Sequence, residues 1–118
     1  MTSPNLKLLV IKTLRMQELR RFYETLGCEF VEEQHGRGPL HLAAEIGEAV
    51  FEIYPLPNKT SPVDTTTRLG FDVTDLDGVV DKLKTEHSEI VTAAKETAWG
   101  KRAVVRDPDG RSVELYQQ

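Results

Sequence analysis

Val50-Phe51-Glu52-Ile53-Tyr54 returns 62 residues later as Ser112-Val113-Glu114-Leu115-Tyr116. In a strand, successive side chains point to opposite faces. Phe51 and Ile53 therefore share one face, and Val113 and Leu115 the corresponding one, as core-facing pairs. Val50, Glu52 and Tyr54 share the other face, as do Ser112, Glu114 and Tyr116. The register runs upstream without a gap, with Gly38 falling on Gly100 and Glu45 on Asp107. An ungapped match over two amphipathic hairpins marks an internal duplication.

Working outward from the repeat, each half shows the same order of elements. Residues 6–11 form an apolar run broken only by Lys7, which reads as a buried strand. From Leu14 the period changes. Met16, Leu19, Phe22, Tyr23 and Leu26 recur at three- and four-residue steps, the mark of one helix face. Thr13 offers an N-cap oxygen and Gly27 a C-terminal stop. Strands over 28–34, 40–45 and 49–54 follow. Residues 55–66 contain three prolines and read as a linker. After it come a strand over 69–73 and a helix capped by Thr74 or Asp75, with Leu76, Val79, Val80 and Leu83 on one face. A short strand over 89–92 precedes a hairpin over 103–106 and 111–116. Asp107-Pro108-Asp109-Gly110 closes that hairpin, each residue suited to a tight turn. The expectation is one domain over 1–118, with units over about 5–57 and 66–118.

Composition narrows the functional classes. The chain has 118 residues, too few for two independent cores, and a net charge of −4. An acidic chain without a basic cluster is poorly suited to nucleic acid, whose affinity comes from Lys and Arg neutralising phosphates. No apolar stretch approaches the roughly 20 residues of a membrane span. Residues 1–7 lack the cationic and apolar regions of a signal peptide, so the expected address is the cytoplasm. Cys28, the one cysteine, has no intrachain partner and reads as a small hydrophobe.

A four-stranded sheet with one helix covers only one of its faces. Two such units can turn their open faces toward a common concavity, which makes Glu52 and Glu114 matched carboxylates on its walls. The expected fold class is α+β, two repeated βαβββ units forming a curved mixed sheet around a cavity. The duplication, with Phe22-Tyr23-Glu24-Thr25-Leu26-Gly27 in the first helix and Asp107 to Leu115 at the end, resembles the vicinal oxygen chelate superfamily. That is the glyoxalase, bleomycin-resistance and extradiol-dioxygenase group. Trp99-Gly100 is similar to its drug-binding and glyoxalase-like members.

The resemblance implies a divalent metal held by inward residues at positions matching Leu8, Glu52, Arg68 and Glu114. The two glutamates agree with that pattern. Leu8 has no lone pair, and Arg68 is a permanent cation. No cofactor is therefore expected, with a divalent metal on Glu52 and Glu114 as the open alternative. His41, in the strand beside Glu52, is the candidate replacement ligand or general base. Arg68 either pairs with a glutamate or a ligand anion in the cavity, or starts its strand facing solvent. Trp99 either caps a pocket or is a packed surface aromatic.

Three functions compete. The first is small-molecule binding, with Arg68, Trp99, Tyr54, Tyr116 and His41 around the ligand. The second is a metal-dependent lyase, isomerase or dioxygenase. The third is a non-catalytic interaction module whose open sheet faces are covered by a partner chain. The resemblance also implies a homodimer, in which the two units enclosing a cavity come from different chains.

Overall fold

The protein's computed structural model describes residues 2–118. The first unit consists of β1 (Leu8–Thr13), α1 (Met16–Leu26), β2 (Phe30–Glu33), β3 (His41–Ile46) and β4 (Ala49–Pro55). The second consists of β5 (Leu69–Val73), α2 (Leu76–Thr85), β6 (Ile90–Thr97), β7 (Gly100–Arg106) and β8 (Ser112–Gln117). Each unit makes one four-stranded mixed sheet, ordered β1-β4-β3-β2 and β5-β8-β7-β6. In both, the first strand runs parallel to the last and the remaining pairs are antiparallel. The two repeats thus fold alike, as separate sheets with no strand shared.

The alternation in the repeated strands sorts their faces. Phe51, Ile53, Val113 and Leu115 are buried against the helices. Leu19, Phe22, Tyr23 and Leu26 bury one face of α1, and Leu76, Val80 and Leu83 bury one face of α2. Gly27 ends α1 at φ 115°, a left-handed backbone that a Cβ disfavours. Cys28 lies in the core, where burial pushes its thiol up to about 11.

One hydrophobic cluster runs through both units. Phe51 of β4 and Phe71 of β5 lie 6.1 Å apart between ring centroids, and Tyr23 of α1 lies 5.9 Å from Phe71. The units therefore meet on their helix-covered sides. A buried polar network reinforces the joint. The Tyr23 hydroxyl donates to Asp107 Oδ2 at 2.8 Å, and Arg111 Nη2 donates to the Lys12 carbonyl at 2.8 Å.

Several local expectations need correction. β1 begins two residues later than the apolar run and is half buried, since Leu8 and Val10 are exposed on its open face. The reason is that α1 covers only the face carrying Ile11 and Thr13. The Thr13 hydroxyl accepts from Arg15 N at 2.8 Å, and Arg15 itself occupies the N-cap position without a side-chain bond. Asp75, not Thr74, caps α2 by accepting from Gly78 N at 3.1 Å. β6 is twice the expected length, because Lys95, Glu96 and Thr97 pair with Arg102, Lys101 and Gly100 across two register irregularities. The proline-containing connection is ordered by local turns in which Asn58 and Asp64 carboxamide and carboxylate oxygens accept from Thr60 and Thr66. Among the described residues, no helix is long and apolar enough to cross a membrane.

Candidate functional site

Two groups of polar side chains occupy the two open sheet faces. On the second sheet, Glu114 of β8 sits beside Gly70 of β5 and Val104 of β7. Its carboxylate accepts from Arg102 Nε at 3.0 Å, from Arg68 Nη2 at 2.7 Å and from the Tyr116 hydroxyl at 3.2 Å. The Arg102 hydrogen bonds, followed by those from Arg68 and Tyr116, hold the Glu114 carboxyl below its ordinary value. Arg102 also lies over the Tyr116 ring, 6.0 Å from its centroid. A cavity of about 390 Å³ is lined by Thr97, Trp99, Arg102, Glu114 and Tyr116, with Arg68 reaching Glu114 from outside that lining.

Trp99 stands at the tip of the β6–β7 hairpin. Its backbone N–H donates to the Thr97 hydroxyl at 3.1 Å, and that hydroxyl donates to the Gly100 carbonyl at 2.7 Å. Gly100 turns the chain at φ 104°. The indole is 83% exposed. Lys101 points elsewhere, pairing with Asp77 on α2 at 2.7 Å.

On the first sheet, the register sets Glu33 opposite His41 and Ala43 opposite Glu52. His41, Glu33 and Glu52 thereby share the open face. The His41 side chain is 1% exposed and stacks on Tyr54, with ring centroids 4.0 Å apart and planes 10° from parallel. Its Nδ1 lies 3.2 Å from the Pro39 carbonyl oxygen. That oxygen only accepts, so Nδ1 carries a proton. Nε2 is buried without a hydrogen-bond partner. It faces Glu33 at 3.4 Å and Glu52 at 3.6 Å, while His35 Nε2 lies 3.6 Å from Glu33.

The candidates from the sequence thus divide between two places. Arg68, Trp99 and Tyr116 gather around Glu114, whereas His41 and Tyr54 gather around Glu52. No hydrogen bond or ion pair joins the two groups among the described residues. Leu8 and Arg68 correspond in register, lying opposite Val50 and one residue before the Leu69–Val113 pair. Of the four positions that the family's metal would use, Leu8 offers no donor, Arg68 is a cation, and the Glu114 oxygens already accept from two guanidinium groups. This set does not fit a metal ion.

Glu33 and His35 are not singled out as site residues by the sequence, whereas Arg102, beside Trp99, is one of two cations there that could attract an anionic ligand. The signal for Glu33 was the strand register opposite His41, which depends on the length of the turn over 34–40. A larger cavity, about 700 Å³, lies on the helix side between the N-terminal part of α1 and the 107–110 turn. Its lining alternates Arg15, Arg21 and Arg106 with Glu18, Glu86 and Glu89, a mixture of signs with no convergent group.

Fold and site together define a duplicated βαβββ protein with polar groups on its open faces. The chain belongs to the glyoxalase/bleomycin resistance protein/dioxygenase superfamily, whose model matches residues 6–115. An uncharacterized protein of Mycolicibacterium smegmatis is 28% identical over 116 residues, covering 98% of this chain and 96% of the relative. Among solved structures, TnmS3, an antibiotic binding protein from Streptomyces sp. CB03234, is 24% identical with a TM-score of 0.75, over 99% of this chain and 98% of its own. The oxidase ChaP-H2 is 16% identical with a TM-score of 0.77, over 99% and 95%. An integron cassette protein from the mobile metagenome of V. cholerae is 25% identical with a TM-score of 0.69, over 98% and 95%.

Proposed function

We propose that this chain is a small-molecule binding protein whose ligand is a flat anion held over Arg68, Arg102, Tyr116 and Trp99. The observation that carries the reading is the state of Glu114. Two guanidinium groups and a phenol engage its carboxylate, so it is a counter-ion within a cationic wall. Two arginines against one glutamate leave one positive charge in excess. Arg68, with its side chain 67% exposed, is the guanidinium with room to take a ligand carboxylate. Trp99 and Tyr116 supply aromatic faces for stacking. The cavity volume of about 390 Å³ lies within the roughly 300–1,000 Å³ usual for small ligands.

The description of TnmS3 as antibiotic-binding supports this reading by analogy of fold. A metal-dependent lyase, isomerase or dioxygenase of the family type would need donors where Leu8 and Arg68 stand. In the proposed functional form, two chains pair so that the open face of one unit is covered by a unit of the partner. A cytoplasmic address goes with it, since the single buried thiol requires no oxidising compartment.

Trp99 is the sole tryptophan, so its fluorescence reports the site directly. Titration with a panel of planar aromatic carboxylates should give a saturable change. Arg68→Ala and Arg102→Ala should each weaken binding by more than about 1 kcal/mol, or roughly fivefold, as loss of a charge-assisted bond requires. Equal affinities in wild type and both variants, or no saturable change across the panel, would remove the reading.

A further inference from the structure

We propose that Glu33, His35, His41 and Glu52 form a binding site for a divalent transition-metal ion, of the zinc class, on the open face of the first sheet. The site lies within one unit. It shares only Glu52 with the positions implied by the family resemblance, and its other three donors come from β2, β3 and the turn between them.

His41 is the central donor of the cluster. Its ring is fully buried and fixed in plane by the Tyr54 stack. Its Nδ1 is committed to the Pro39 carbonyl, which leaves Nε2 as the ring atom available to an ion. That nitrogen has no hydrogen-bond partner. With the imidazole neutral, this nitrogen faces two carboxylates unfavourably, because all three present lone pairs to one another. A cation between them removes the conflict. The backbone bond at Nδ1 is the usual second partner of a metal-ligating imidazole, orienting the ring and raising its basicity.

Distances agree with this assignment. One donor atom from each of the four residues lies within 4.8 Å of all the others. Zinc–nitrogen and zinc–oxygen bonds of about 2.0–2.1 Å place tetrahedral donors about 3.3–3.4 Å apart. The contacts of 3.4, 3.6 and 3.6 Å among His41, Glu33, Glu52 and His35 are already close to that edge length. Two imidazoles with two carboxylates match zinc and its neighbours in the first row. An all-oxygen shell, as calcium and magnesium require, is absent here among the described residues. The two carboxylates balance the ion's double charge.

The ion would also cross-link the edge of the first sheet to its interior strands. β2 is an edge strand of four residues. Its last residue is Glu33, and His35 stands on the exposed turn beyond it. A metal would tie both to β3 and β4 at the face where the sheet has no helix.

The test is calorimetric titration of chelator-treated protein with zinc chloride. One Zn²⁺ per chain is expected, and Co²⁺ in its place should give the intense visible bands of a four-coordinate ion. Because His41→Ala removes a buried ring and can unfold the unit, two rim substitutions carry the proof. His35→Ala and Glu33→Gln lie outside the core and should each weaken zinc at least tenfold, with unchanged circular dichroism. His87→Ala should leave the affinity as it is. Absence of stoichiometric binding overturns the proposal. So does zinc binding that both rim variants leave intact, or binding abolished by Glu114→Gln, which would put the ion on a set spanning two units.

Discussion

Arg111 has no exposed side-chain surface, yet it carries a full positive charge. Its compensation comes from Asp107 Oδ2 at 3.1 Å, Asp109 Oδ2 at 3.0 Å and the Lys12 carbonyl. Asp107 in turn accepts from Tyr23 of the other unit, so one carboxylate serves both the turn and the joint. Breaking a buried pair leaves an uncompensated charge, which costs far more than losing one neutral hydrogen bond. Asp107→Ala should therefore destabilise the fold by about 3–5 kcal/mol. Tyr23→Phe, which removes only the hydroxyl, should cost about 1 kcal/mol. Urea denaturation of the two variants gives the comparison. Equal costs would mean that the Arg111 charge is not compensated by Asp107.

At the scale of elements, the two helices differ in how they begin. Both carry an acidic residue in the first turn, Glu18 in α1 and Asp77 in α2, but α2 also has Asp75 accepting from Gly78 N. α1 has no side-chain bond at its N-cap and depends on burial of four large side chains. Asp75→Ala should thus lower stability by about 1 kcal/mol, measurable as a shift in denaturation midpoint with an unchanged slope. Arg15→Ala at the equivalent place in α1 should leave the midpoint nearly unmoved. A comparable loss in both would show that the Asp75 oxygen contributes nothing specific. The β6–β7 hairpin is another element-level device. Its extra pairing carries Trp99 beyond the sheet edge and over the cavity floor made by Arg102 and Tyr116.

For the whole molecule, the open faces are the unfinished part. Leu8 is 53% exposed and Val31 58% exposed, and Val10 adds to the same face. These residues would pack in a closed assembly of the kind set out above. Light scattering should accordingly report twice the 13.3 kDa mass of the chain. Leu8→Glu places a charge on that face without touching the core, and should shift the mass toward one chain. A wild-type mass of 13.3 kDa at working concentrations would remove the paired form.

The sequence by itself determined the duplication, the helix faces, the turns at Gly27 and at 107–110, and which residues of β4 and β8 face the core. All of these follow from short-range periodicity and backbone preference, which act within a few residues. The tertiary structure decided who meets whom. Glu114 meets Arg68 from 46 positions away, and Arg111 meets Lys12 across 99. His41 meets Glu33 through a register that a one-residue change in the intervening turn would invert. Polar side chains choose partners by geometry at 3 Å, and a repeating pattern of apolar residues does not specify positions to that tolerance.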